Sequence, residues 1–300
     1  MKSILNNDII YTIKRLALTK RIYLSKDANL IFVCGASLDA NNGKNARKRF
    51  LDYSKANLPE YDIFIAEKFF DLFKGDMDLL SVEDKLGSYS DCIIIFLESP
   101  SSIAELGAFS NNEKLVKQLL VVNDKKHETA TSFIIKGPLT KISKQSEFGE
   151  TIYCNMQRSL EVVGEIKKKL ITMKRKYNKG INIRTFEEYS GNSEKSKMLF
   201  LLDLITLLQP VKKNELESIL EVLIGEGTYY IEFDINMLMA VGYITEMDGY
   251  YIKTKSITKM YYIFEKDRSI IKIRSLVLSA YRKNDRYRIE KLIAYCRGNS

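Results

Sequence analysis

Apolar positions in the first half of the chain fall into short unbroken runs: NLIFVCG at 29–35, YDIFIAE at 61–67, CIIIFLE at 92–98 and QLLVVND at 118–124. Runs this short, apolar at successive positions, predict strands buried on both faces. Between them lie segments with helical spacing. GKNARKRFLDYSKANL at 43–58 puts Ala46, Phe50 and Tyr53 on one side, LLSVEDKLGSYS at 79–90 carries a Ser81-x-x-Asp84 capping signal, and SIAELGAFSNNEKLVK spans 102–117. Strands alternating with helices predict an α/β domain built on a parallel sheet.

The pattern changes after residue 150. A basic helical stretch, SLEVVGEIKKKLITMKRKY, runs into the polar INIRTFEEYSGNSEKSK, which reads as a linker. Helical candidates follow at 198–208, 214–224 and 229–242, then two short strands at 242–254 hinged on Asp248-Gly249, a hairpin turn signal. Three helices and a hairpin predict a winged helix. Its third helix contains Tyr229, Tyr230, Glu232 and Asp234 but no Lys or Arg, so it is poor in side chains that read base edges. The expected division is 1–160 for the α/β domain, 161–195 for the basic helix and linker, and 196–300 for the winged helix with a basic tail.

Composition narrows the chemistry. The 300 residues exceed a usual single domain, and a 45% apolar content suffices for two cores. The apolar runs fall far short of the roughly 18 residues of a membrane span, and the N-terminal MKSILNNDII lacks a secretory apolar segment, so the expected location is cytoplasmic, with no membrane partner. Cys34, Cys92, Cys154 and Cys296 lack metal-ligand spacing and His127 is the single histidine, so no metal site is expected and carboxylates are left to act as acid, base or nucleophile. The net charge of +9 is uneven: residues 161–184 and residues 271–300 each carry +6, leaving −3 elsewhere. Such runs are either solvated helix faces or phosphate-docking surfaces. Under the second reading Lys167, Lys168, Lys174, Arg175, Arg282, Lys283, Arg286 and Arg288 dock a nucleic-acid partner.

The stretch ESPSSIAELGAFSNN at 98–112 carries the candidate site, because ligands of open parallel sheets bind where a strand's carboxyl end enters a helix. Glu105 lies just past the third strand. Glu83 lies eight residues before Asp91, where that strand opens, so its helix can return it to the same edge. Two carboxylates at one pocket can cleave a glycosidic bond, one attacking C1′ and the other positioning the sugar or moving a proton. The same spacing also fits two solvated acids near helix N-termini.

ELGAF after an apolar strand and a Ser/Pro loop resembles the nucleoside 2-deoxyribosyltransferase family, whose nucleophilic glutamate sits in a Glu-Leu-Gly motif; the likeness covers roughly residues 29–124. The combination of IFVCG, YDIFIAEKFF, LLSVEDKL, ESPSSIAELGAFSNNEKL and SFIIKGP with a winged-helix half resembles the effector proteins of retron antiphage systems. The resemblance implies an α/β, Rossmann-like deoxyribosyltransferase domain acting as an N-glycosidase toxin. It further implies restraint by a reverse transcriptase and its multicopy single-stranded DNA, and NAD as substrate rather than cofactor.

Carried over by position, Glu105 is the nucleophile and Glu83 the ribose-orienting acid, while Cys34, Gly35, Ala36, Glu67, Ser99, Pro100, Ser102, Gly107 and Asn112 bind substrate. The loop Ser99-Pro100-Ser101-Ser102 is shorter than in the deoxyribosyltransferases and lacks their additional Asp, which disfavours transfer between bases. NAD suits a site without histidine, because nicotinamide leaves as a neutral molecule and needs no proton. Cleavage of, or deoxyribosyl transfer from, other (deoxy)nucleotides, a nucleotide-sensing module without catalysis, and a DNA-binding module are the alternatives. The family habit of completing pockets across subunits implies a homo-oligomer, with Phe109, Asn111 and Asn112 as contacts.

Overall fold

A computed structural model describes residues 7–19, 29–40, 44–172, 181–254, 260–261 and 268–298. The four apolar runs form β1 (Leu30–Cys34), β2 (Asp62–Phe64), β3 (Cys92–Phe96) and β4 (Leu119–Asp124), and a strand too short to announce itself, β5 (Ile152–Cys154), joins them. All pairs are parallel, in the order β2-β1-β3-β4-β5. Every residue of β1 and β3 is buried, as their unbroken apolar character requires.

Two helical layers cover the sheet. On one face α2 (Ala46–Asn57) and α7 (Val163–Thr172) contribute Ala46, Phe50, Val163, Ile166 and Leu170 to a core with Ile31, Val33 and Ile94. On the other, Phe32 stacks on Phe64 at 5.2 Å and meets Phe109 at 6.3 Å. Phe109 belongs to α5 (Pro100–Asn111), and α4 (Leu79–Tyr89) buries Val82 and Leu86. The expected strand at 61–67 stops at Phe64, and α3 (Ala66–Phe70) begins within it, so Glu67 sits in a helix's first turn. Asp78 caps α4 by accepting from the Ser81 N–H at 2.9 Å, so Ser81 is not the cap. The short α6 (Thr140–Gln145) completes this part.

Contacts divide the chain into Asp27–Lys176 and a second unit made of Met1–Lys26 with Tyr177–Ser300. This differs from the expected division at three places. The helix α1 (Asn7–Thr19) belongs to the second unit, where it buries Ile9, Ile10 and Ile13 and Lys14 donates to the Val222 carbonyl at 2.9 Å. The described part of the basic helix, α7, belongs to the α/β unit because its apolar stripe packs under the sheet. The expected linker is structured: Thr185 caps α8 (Phe186–Ser190), Ser193 caps α9 (Glu194–Leu208), and Ile181, Ile183 and Tyr189 are buried.

In the second unit α9 is buried almost all round, with α10 (Lys213–Ile224) and α11 (Glu232–Val241) following. The antiparallel β6 (Ile244–Met247) and β7 (Tyr250–Lys253) turn on Asp248 (φ 51°) and Gly249 (φ 78°), the two left-handed positions that an Asp-Gly hairpin turn uses. The expected basic tail is a pair of helices, α12 (Arg268–Asn284) and α13 (Arg286–Gly298). Among the described residues no helix is long and apolar enough to cross a membrane.

Arg288 departs most sharply from its expected role as a docking residue. Its side chain is 1% exposed and donates to both oxygens of Glu215, at 3.0 and 2.8 Å, to Asp285 and to the Pro210 carbonyl. The rings of Tyr281 and Tyr250 flank its guanidinium at 4.3 and 4.9 Å. Truncation would leave two partly buried carboxylates without their cation. Arg288→Ala is therefore expected to lower stability by about 3–5 kcal/mol, whereas exposed Arg282→Ala stays within about 0.5 kcal/mol; denaturant unfolding of the two variants checks the contrast.

Candidate active site

The loop leaving β3 satisfies its own backbone. Ser99 caps α5 through the Ser102 N–H, Pro100 opens the helix, and the Ser102 hydroxyl accepts from the N–H groups of Glu98 and Ser99 while donating to the Ser99 carbonyl. Glu98 reaches across to α2, where its carboxylate accepts from the N–H groups of Ala46 at 2.6 Å and Arg47 at 3.0 Å. These ties fix where α5 starts, and so where Glu105 lies one turn later.

At the neighbouring strand end, Cys34, Gly35 and Ala36 are buried and folded around Arg47. Arg47 is 4% exposed and makes a two-pronged ion pair with Glu67, Nη1 to Oε1 at 2.5 Å and Nη2 to Oε2 at 2.7 Å. Its Nε donates to the Val33 carbonyl and Nη1 also to the Ala36 carbonyl, both at 3.2 Å. A Cβ at Gly35 would stand 3.0 Å from the Arg47 stem, tighter than side chains ordinarily pack.

Glu105 and Glu83 share one electrostatic environment with this group. Burial is the first cause that lifts the Glu105 carboxyl to about 7; the neighbouring Glu83 charge adds to it, while Arg47 offsets part and a hydrogen bond with the Cys34 thiol favours ionisation. Glu105 Oε2 is buried and has no hydrogen-bond partner among the described residues. Glu83 is also raised, by burial and then by Glu67. Burial would raise Glu67 too, but the hydrogen bonds and charge of Arg47 bring it below the usual carboxylate range. The Cys34 thiol is held well above its ordinary value by burial and then by Glu105 and Glu83. A half-buried carboxyl with one unsatisfied oxygen, poised near neutrality, can attack an electrophilic carbon or stabilise a developing cation.

The remaining expected site residues scatter. Ser102 is fully buried within the α5 cap, and the Asn112 side chain ties α5 to α4 by donating to Asp84 at 2.6 Å and accepting from the N–H groups of Lys114 and Leu115. Gly107 faces a separate open groove of about 730 Å³ lined also by Leu80, Ser81, Asp84 and Phe133. Of the docking residues, Lys168, Arg282, Lys283 and Arg286 are exposed and Lys167 lies 3.8 Å from Glu60, while Lys174 and Arg175 fall outside the described residues. Arg47 and Glu98 were not anticipated. Arg47 sits in the run Arg-Lys-Arg, which reads as a solvated face, and the one available signal is its position next to Ala46 on the apolar stripe.

Comparison with known proteins gives a consistent picture. Residues 43–272 match the family model described as STM3845 retron effector protein. A protein of Escherichia coli named "Retron Ec73 putative ribosyltransferase/DNA-binding protein" is 32% identical over 275 residues, covering 85% of each chain. Its retron Ec86 counterpart from the same organism, with the same description, is 40% identical over 117 residues, 38% of this chain and 37% of that protein.

The raised Glu105 carboxyl has a consequence for stability. A group whose folded value lies above its unfolded value favours folding less as pH rises from the unfolded value, about 4.3, through the folded value near 7. Glu105→Gln removes that term. It is expected to raise Tm by a few degrees at pH 8 and to change it little at pH 5, measured by thermal unfolding in matched buffers.

Proposed function

The chain belongs to the retron effector protein family, and we propose from that membership that its α/β unit is an N-glycosidase that releases nicotinamide from NAD, acting as the toxin of a retron antiphage system. The observation that carries this reading is Glu105: a half-buried carboxyl at the carboxyl edge of a parallel sheet, with Oε2 unpartnered and Glu83 beside it. The ribosyltransferase names of the E. coli relatives support chemistry at C1′ of a ribose. In the proposed step a Glu105 oxygen bonds to C1′ as the C1′–N bond breaks, its electron pair going to the nicotinamide nitrogen. Water then hydrolyses the glycosyl ester.

Charge supports NAD over neutral nucleosides. Arg47 is engaged by Glu67, which leaves the carboxyls of Glu83 and Glu105 facing the substrate, a setting that favours a cationic pyridinium ribosyl group and the positive charge that develops at C1′. No protonation of the leaving group is needed. Glu83 orients the ribose hydroxyls and, by its charge, helps set the ionisation of Glu105.

The sheet order with its ligand edge fits a deoxyribosyltransferase-like domain, and the succession α9, α10, α11, β6 and β7, with Val211 bridging to Tyr251 beside the hairpin, fits a winged helix. The exposed cations Arg282, Lys283 and Arg286 support docking on a phosphate-bearing partner, which in a retron is the reverse transcriptase with its multicopy single-stranded DNA.

Two measurements test these points. The purified chain incubated with NAD and a nucleotide panel, followed by chromatography, should release nicotinamide. Its kcat/KM should rise with pH and level off above about 7, because the working carboxylate must be ionised. Glu105→Gln should lower base release by on the order of a thousandfold. Glu83→Gln should reduce turnover and also move the acid limb to lower pH, since one cause of the raised value is gone. Separately, co-purification with the ribonucleoprotein partner across a salt series should show association falling steeply with salt. Charge reversal of Arg282, Lys283 and Arg286 should weaken it further while leaving base release by the free chain unchanged.

A further inference from the structure

We propose that Arg47 is the positioning residue of this site and Glu67 its anchor, the pair together shaping the backbone that leaves β1 and setting the charge presented to Glu105. The proposal rests on the reading of Glu105 as the reacting carboxylate. Its first support is geometric. One guanidinium joins three features of the sheet edge: the Val33 and Ala36 carbonyls that bracket Cys34-Gly35, and both oxygens of Glu67 on α3. Gly35 leaves room for the Arg47 stem and nothing more, so the path of the β1 loop and the place of Arg47 determine each other.

Its second support is the disposition of charge. The groups acting on Glu105 come from four elements: Cys34 follows the core of β1, Arg47 lies on α2, Glu67 on α3 and Glu83 on α4. Arg47 is the cation that offsets the acids. An ion pair that buries one partner, as this one buries Arg47, is a weak device if kept only for stability, because desolvating the buried charge offsets much of the attraction. Here the pair has a placement that apolar residues could not reproduce: five N–H donors in a rigid fork, four of them used on named acceptors at the mouth of the site. Glu67, expected to bind substrate, is thereby occupied in holding Arg47.

A structural brace and a positioning residue differ in what they do to Glu105. In full-length protein carrying 13C-labelled glutamate, the Glu105 carboxyl resonance is identified by its loss in Glu105→Gln and titrated. Arg47→Met should raise its midpoint by roughly a unit and Glu67→Gln should lower it, because each removes a charge of opposite sign. Arg47→Lys should keep the midpoint near wild type yet lower base release from NAD by about tenfold or more, since an ammonium cannot serve the carbonyls and Glu67 together. The neutral double variant Arg47→Met/Glu67→Gln should titrate between the two single variants, and it stands in for Arg47→Met if that variant fails to fold, in which case its midpoint must exceed that of Glu67→Gln. Shifts in one direction, no shifts, or an Arg47→Lys variant as active as wild type would overturn the proposal. Opposite shifts in a wild-type protein that releases no base from NAD or the nucleotide panel would instead uphold the pair and reject the glycosidase reading.

Discussion

Parallel pairing brings every strand's carboxyl end to one edge, and the placement of β1 between β2 and β3 decides what happens there. The chain leaving β1 turns toward β2, whereas the chain leaving β3 turns toward β4, so the two exits diverge and open a crevice. The candidate site assembles from this constraint. Cys34 ends one strand with Gly35 after it and Glu98-Ser99 follows the other, while α4, which leads back into β3, starts at the same edge and carries Glu83 there. The Glu98 carboxylate reaches from the β3 exit to the start of α2 and accepts from the N–H groups of Ala46 and Arg47, so a side chain links the segments that follow the two strands. A carboxylate in that place occupies the N–H groups that would otherwise attract a substrate anion.

The crevice collects more negative charge than it neutralises. Glu67, Glu83 and Glu105 face one another with Arg47 as their counter-charge, and the result is graded: Glu67, paired, falls below the usual range, Glu83 is raised, and Glu105 reaches about 7. Burial contributes first in each case and Arg47 separates them, because its hydrogen bonds go to Glu67 alone of the three. Three like side chains thereby acquire different protonation behaviour from their geometry, which is how a site built from one residue type can divide its labour.

Much of this was legible in the chain. The first four strands and the helices between them follow from apolar runs and spacing, because a parallel sheet covered on both faces leaves an unmistakable pattern. Glu105 and Glu83 were singled out because strand ends in such sheets gather ligands, and the structure brings their carboxyls into one electrostatic environment. The strand Ile152–Cys154 left no such signal: β2 is equally short but lies within the apolar run at 61–67, whereas Ile152–Cys154 has polar flanks and is held by its pairing with β4. Arg47 was passed over and Arg288 was read as a docking cation for one reason: a charged residue signals solvent unless its partners are known, and those partners, Glu67 and Glu215, lie 20 and 73 residues away. Asn112 and Ser102 were carried over as ligand contacts from the family resemblance, and their hydrogen bonds serve the ends of α5. The segment 181–197 read as a linker by composition, but Phe186 and Tyr189 pack on Tyr229 at 5.2 and 5.9 Å and hold it in place.

The second unit redistributes the charge that its sequence advertises. Arg288 is turned inward, Arg274 donates to the Leu207 and Gln209 carbonyls, and Lys291 pairs with Asp248, so part of the basic character of residues 271–300 ties α12 and α13 to the rest of the unit. The cations left exposed, including Lys272, Arg282, Lys283, Arg286 and Arg297, lie on these two helices. α11 buries Phe233 through Leu238 and carries no Lys or Arg. A helix buried along most of its length has few side chains to offer a major groove, and without cations it gains nothing from phosphates. The physical chemistry of this unit therefore separates two properties that a three-helix and hairpin arrangement often joins: its third helix belongs to the core, and its electrostatic reach belongs to α12 and α13.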